Sequence, residues 1–123
     1  MTEPTKYVIN TDIRFRPLER VDVSSLVTEC KEKWFNQTLC QVNDCVVRLG
    51  ILQGEFHWHH HDEEDEFFYV VEGTLLIDLE NQTVELGPNQ GMLVPRKVRH
   101  RTRAPERVVV LMTEGRGVTP TGD

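Results

Sequence analysis

Residues 54–73 read GEFHWHHHDEEDEFFYVVEG and hold four of the chain's five histidines, at positions 57, 59, 60 and 61. An acidic run, Asp62 to Glu66, follows at once, and then an apolar run, Phe67 to Val71. In an extended chain successive side chains alternate faces. His57, His59 and His61 then share one face, and Trp58 and His60 share the other. Residues two apart on a strand have Cα atoms roughly 6.6 Å apart. Two imidazoles at that spacing can converge on one cation at about 2.0–2.2 Å each. On a helix the same residues point nearly opposite ways. The HxH pattern therefore makes chemical sense only if this segment is β.

A divalent cation also favours an anionic ligand, and the acidic run offers several. Most of it reads as a solvated loop, because burying unpaired carboxylates is strongly unfavourable. Glu66 opens the apolar run and shares parity with Phe68 and Val70. Asp65 shares parity with Phe67 and Tyr69. Spacing alone leaves both open.

The flanking sequence supports the β reading. Leu39–Val42 and Cys45–Leu52 flank an Asn43-Asp44 turn, and Phe56–His61 is a short aromatic segment. Phe67–Val71 ends at Glu72-Gly73, and Thr74–Leu79 turns at Asn81-Gln82 into Thr83–Leu86. Met92–Val94, Val98–Thr102 and Arg107–Thr113 complete the strands. Short strands at intervals of about 8–12 residues, punctuated by turns, indicate an all-β sandwich or barrel. Ahead of them, residues 1–20 are polar and read as an arm able to add a strand. Asp22–Lys33 reads as a short helix capped by Asp22 or Ser24. The expected organisation is one domain: an arm and short helix over 1–35, a barrel over 36–114 and a tail over 115–123.

The bulk properties narrow the function. The 123 residues are 38% hydrophobic and 28% charged, enough for one ordinary core. A net charge of -6 argues against general nucleic-acid binding. No apolar run approaches the roughly 18 residues that would suggest a membrane helix. The opening MTEPTKYVINTD lacks a signal-peptide core, so a cytoplasmic location is expected. Cys30, Cys40 and Cys45 are odd in number and form no CxxC, which points to buried reduced thiols. Across the Asn43-Asp44 turn Cys40 and Cys45 are diagonal neighbours, too far apart for an easy bridge.

The fifth histidine, His100, sits in V98-R99-H100-R101-T102-R103. Val98, His100 and Thr102 take one face and three arginines the other, which turns His100 inward, where it could meet the cluster. Here the motifs carry a resemblance. Gly54, His59-x-His61, Glu66 and Gly73 resemble the first motif of the cupin superfamily, and Pro95 with His100 resembles the second. The likeness spans roughly residues 40–112 and is similar to the small single-domain cupins often loosely labelled sugar-phosphate-isomerase-like. It implies a double-stranded β-helix (jelly-roll) barrel. It further implies that His59, His61, Glu66 and His100 hold one divalent metal, which chooses Glu66 over Asp65 by analogy. A homodimer, formed through sheet edges or swapped arms, is also implied. Three positions depart from the family pattern. One residue fewer than usual separates Gly54 from His59, Lys97 stands where the second motif has glycine, and Ala104 stands at its closing asparagine.

Three imidazoles and a carboxylate suit Fe, Mn, Ni, Co, Cu or Zn, and ligand type does not choose among them. Such a site expects a small-molecule ligand and isomerase, lyase or dioxygenase chemistry, with His57 as the candidate proton-transfer group. The alternatives are a metal-dependent binding or sensor protein without catalysis, and a metal-free interaction barrel. The basic run at Arg96, Lys97, Arg99, Arg101 and Arg103 reads as charge pairing, with the acidic loop or across a subunit contact. Arg96 and Lys97, in the turn, are the members expected to face a substrate.

Overall fold

A computed structural model describes residues 6–122. It contains β1 (Tyr7–Asn10), α1 (Val23–Glu29), β2 (Trp34–Val42), β3 (Cys45–Glu55), β4 (Glu66–Glu72), β5 (Leu75–Leu79), β6 (Thr83–Leu86), β7 (Gly91–Val94) and β8 (His100–Gly115). The pairing order is β1-β2-β3-β8-β4-β7, and β5 joins β8 to β6. The arm contributes β1, which runs parallel to β2. All other pairings are antiparallel. The architecture is all-β apart from α1, as the resemblance implies.

β8 organises the barrel. On one edge His100 to Arg103 pair with β5 and Val109 to Glu114 with β4, while on the other β3 pairs with Arg103, Ala104 and Val108 to Gly115. The sequence reads as two strands here, Val98–Thr102 and Arg107–Thr113, but they form one. Ala104-Pro105 lies where one edge passes from β5 to β4 and the β3 register shifts, a place that tolerates a residue without an amide donor. Val98, expected to face inward, is exposed and precedes the strand. At the other end of the chain β2 begins at Trp34, well before the Leu39 expected from apolar patterning. Trp34 is buried and stacks on Phe56 with ring centroids 5.3 Å apart.

Alternation divides the apolar residues into two cores. Inward-facing Leu52, Phe68, Val70, Leu75, Ile77, Val108 and Val110 fill the barrel. Residues of opposite parity on β2, β3 and β8, including Leu39, Leu49, Ile51 and Val109, form the second core with Leu26 of α1. Asp22 is the N-cap, its carboxylate accepting from the Ser25 amide at 3.2 Å. Arg107 then donates to the Val27 and Cys30 carbonyls near the helix end, at 3.1 and 3.0 Å. The three thiols are free as expected, but Cys45 is exposed and the other two are only half-buried. The turn places Cys45 opposite the exposed Val42, so neither contributes to a core.

Candidate metal centre

β3 ends in a bulge between Leu52 and Gly54, where Gly54 takes φ +115°. That positive φ favours glycine. The chain then leaves the sheet and crosses the barrel mouth. One point of the crossing is pinned: the His59 amide donates to the His100 carbonyl and the His100 amide to the His59 carbonyl, both at 2.9 Å. Two residues on, the His61 carbonyl accepts from the Lys97 amide at 2.7 Å. Lys97 adopts φ +69°. The turn therefore keeps the left-handed backbone that suits a glycine even though a lysine occupies it.

These pins bring His59, His61, Glu66 and His100 together. Ring centroids lie 4.4 Å apart for His59 and His100, 5.2 Å for His59 and His61, and 6.2 Å for His61 and His100. Glu66 opens β4 and is buried, as are His61 and His100. Its Oε1 stands 3.5 Å from His61 Nε2 and 3.5 Å from His100 Nε2. None of these three atoms has a hydrogen-bond partner. His59 and His100 turn Nδ1 to main-chain carbonyls, of His57 at 3.1 Å and Val98 at 2.9 Å. Those contacts assign the proton to Nδ1 and leave the Nε2 lone pairs free. Asp65, the competitor from parity, lies outside the cluster and accepts from the Arg96 amide at 2.9 Å.

The electrostatics agree with this donor set. Burial, helped by neighbouring His100, pulls the His59 pKa down to about 4, so the ring is neutral near pH 7. Burial works to raise the Glu66 carboxyl, but His100, His61 and Glu114 around it outweigh that and hold it below the usual carboxylate range. An ionised carboxylate thus faces imidazole nitrogens at distances too long for a good charge-assisted hydrogen bond.

The structure also adds groups the sequence reading lacked. Glu114 lies directly opposite Glu66 in the β4–β8 ladder and is buried. Ligand atoms of His59, Glu66 and His100 lie within 4.8 Å of one another, and so do those of His61, Glu66 and Glu114. Both groups could hold a metal ion, and they share Glu66. Arg48 of β3, also buried, donates Nη1 to Glu114 at 3.4 Å and Nε to Asn36 at 2.8 Å. Burial and the adjacent Glu66 push the Glu114 carboxyl up. The signal for both residues was strand parity. Glu114 continues Val108, Val110 and Met112, and Arg48 lies between Val46 and Gly50.

His57 is exposed and belongs to neither ligand group, although its ring centroid lies 5.5 Å from that of His59. Its Nε2 lies 2.6 Å from the Thr121 carbonyl. His60 is paired at the surface with Asp62, at 3.1 Å. Trp58 lies on the outer side, where Arg99 and Arg101 sit over its ring at 5.0 and 5.4 Å. The arginines of β8 do pair, though mostly not with the acidic loop. Arg101 and Arg103 each place Nε 2.7 Å from Asp78 Oδ2, and Arg101 also reaches Glu55 at 3.6 Å. Arg96, in the turn before β8, reaches the loop through Asp65.

A barrel closed around convergent imidazoles and a carboxylate defines the class. Residues 46–114 match the cupin domain family, and the chain belongs to it. It is 44% identical over 91 residues to the uncharacterized protein YdbB of Bacillus subtilis, an alignment covering 73% of this chain and 80% of that protein. A shorter match, 47% over 45 residues, links it to the polyketide synthase CurC of Streptomyces cyaneus. It covers 37% of this chain and 29% of that protein. Among solved structures, a cupin-2 domain protein from Shewanella frigidimarina superposes with a TM-score of 0.73 at 28% identity. That match covers 77% of this chain and 93% of the other.

Proposed function

We propose that this cupin binds one divalent metal ion through His59, His61, Glu66 and His100 and acts as a small-molecule metalloenzyme of isomerase, lyase or dioxygenase type. One observation carries the reading. Buried ring nitrogens of His61 and His100 each stand 3.5 Å from a buried Glu66 carboxylate oxygen, and none of the three atoms has a hydrogen-bond partner. Unpaired buried polar atoms are costly, and a cation among them would satisfy all three. The donor set fits Fe, Mn, Ni, Co, Cu or Zn. A bound ion would supply a Lewis acid or a redox centre.

The chain's own residues do the rest. Val98 and His57 carbonyls fix the two imidazole tautomers, and the barrel's apolar lining limits water. His57 is the candidate for moving a proton at the mouth, since its ring centroid lies 5.5 Å from that of His59. We assign the protein to the cytoplasm, acting on a small molecule as a homodimer. Exposed Phe67 and Leu93, directly opposite one another on β4 and β7, suit a contact between copies.

The test is elemental analysis of untagged protein beside His59→Ala and His100→Ala variants. About one metal per chain, lost in both variants, supports the site. No metal in wild type and no uptake on reconstitution overturns it. With the metal identified, oxygen consumption separates dioxygen chemistry from isomerase or lyase turnover. A metabolite retained unchanged would instead mark a metal-dependent binding or sensor protein.

A further inference from the structure

The segment after β8 does not trail into solvent. It is rooted by the Arg116 amide, which donates to the Asp44 carbonyl at 3.0 Å, and turns where Val118 donates to Gly115 at 3.0 Å. Gly117 and Val118 then border His61 and the acidic loop on one side of the mouth. A second turn follows, with the Gly122 amide donating to the Thr119 carbonyl at 2.9 Å. Residues 118, 120 and 122 are half-buried while 119 and 121 are exposed, the alternation of a segment laid along a surface.

Its tip lies on the candidate ligands. Pro120 walls a cavity of about 30 Å3 together with His59, Glu66, Phe56, Trp34 and Asn36. Gly122 has φ +97°, and a Cβ built there would stand 2.5 Å from His59 Cβ. A side chain at this position would therefore meet a candidate ligand. The tip's polar latch is the contact of His57 Nε2 with the Thr121 carbonyl. The space left beside the tip is small, and the strap supplies one of its walls.

We propose that residues 117–122 form a strap, hinged at Arg116 and latched at His57, which covers one side of the site and narrows access to it until it opens. Pro120 is then a specificity-determining residue, because its ring walls the cavity beside His59 and Glu66. A small organic substrate reaches these groups more freely once the His57 latch breaks and the Pro120 wall withdraws. The substrate-selection part rests on the metal-site reading above. The closure itself does not, and the experiment separates the two.

The probe is diethyl pyrocarbonate, which acylates accessible imidazoles, applied to metal-free full-length protein and read residue by residue by peptide mass spectrometry. Gly122→Val places a branched side chain against His59 and so unseats the strap. Gly117→Ala is the control, because nothing lies within 4 Å of a Cβ there. Pro120→Gly, which removes the wall without adding bulk, is the second opening variant. The expected result is acylation of His57 and His59 about tenfold faster in both opening variants, equivalent to roughly 1.4 kcal/mol of lost closure. His60, which has no strap contact, should react equally in all four proteins. Equal rates at His57 and His59 in wild type and both opening variants overturn the strap. Pyridine-2,6-dicarboxylate stripping of Co2+ from loaded protein should accelerate in the same two variants. If no Co2+ binds but the acylation difference persists, the metal reading fails and the strap stands.

Discussion

Replacing His100 by phenylalanine separates a metal ligand from a structural histidine. His100 is 1% exposed, and its Nε2 has no hydrogen-bond partner. A buried unsatisfied nitrogen costs about 1–3 kcal/mol. Phenylalanine removes that cost and fits beside Phe68, whose ring already meets the imidazole edge-on at 6.2 Å. The substitution also loses the Nδ1 contact to the Val98 carbonyl, worth about 1 kcal/mol. Val98 is exposed, so water can take over that carbonyl. Glu66 also loses the imidazole that most helps keep it ionised and can take up a proton instead, so the metal-free variant should stay within about 1–2 kcal/mol of wild type near pH 7. Metal behaves differently. At a free concentration one hundred times the dissociation constant it stabilises the folded state by about 2.7 kcal/mol. For a chain of this length that raises the melting temperature by roughly 8–16 °C. The assay is differential scanning fluorimetry of chelator-treated protein against Mn2+, Fe2+, Co2+, Ni2+, Cu2+ and Zn2+. At least one ion should shift wild type, and none should shift His100→Phe by a comparable amount. Two results refute the reasoning: a metal-free variant several kcal/mol less stable than wild type, or a metal-induced shift that survives the substitution.

Other positions give independent checks. Asp78 is buried and accepts from Arg101, Arg103 and Thr83, which together outweigh its burial and hold its pKa well below the usual range. Asp78→Asn should cost roughly 2–4 kcal/mol in urea unfolding at pH 7. A carboxylate with a depressed folded pKa stabilises above its unfolded pKa, so the advantage over the variant should shrink as pH falls below about 4. A gap that stayed constant to pH 2 would mean the carboxylate charge is not the cause. Lys97→Gly relieves a left-handed backbone while keeping the amide that bonds His61, and should stabilise by about 0.5–1 kcal/mol despite glycine's entropy. Unfolding midpoints would show it, and a loss would contradict the strain argument. Glu114→Gln keeps the shape but removes the ionisable oxygen that faces Glu66 and Arg48, and should weaken Co2+ binding by roughly 10-fold or more if Glu114 helps set Glu66. Isothermal titration reads this directly, and unchanged affinity would confine Glu114 to packing.

Strand parity explains why part of this site was legible and part was not. Alternation holds where the chain is in a ladder. Glu66 opens β4 and His100 opens β8, so each points where its parity with Phe68 or Thr102 says it should. His59 and His61 do the same because the His59–His100 bridge and the Lys97 amide hold that short stretch extended. His57 lies beyond the last ladder residue of β3, Glu55, so no pleat dictates its direction, and its ring turns to Thr121. The arginines of β8 face away from the pocket as alternation requires. Their partner Asp78 comes from β5, and sequence distance gives no hint of that register.

Glu114 and Arg48 are the more instructive case, because the parity that marks them was present. Each continues an inward-facing apolar series, where a charged residue is a departure from the pattern. Charged residues are rarely buried unless paired, so an inward charge on one strand implies an inward partner on another. The β3–β8 ladder supplies it by placing Val46 opposite Glu114 and Arg48 opposite Met112, one step away. The β4–β8 ladder then sets Glu114 against Glu66. A guanidinium, two carboxylates and three imidazoles therefore occupy one layer of a barrel otherwise filled with valine, leucine and phenylalanine. A purely structural barrel gains little from that layer, since apolar side chains of similar volume would pack there without unpaired atoms. The unpaired atoms are concentrated where Glu66 meets His61 and His100, which is where a bound cation would remove the cost.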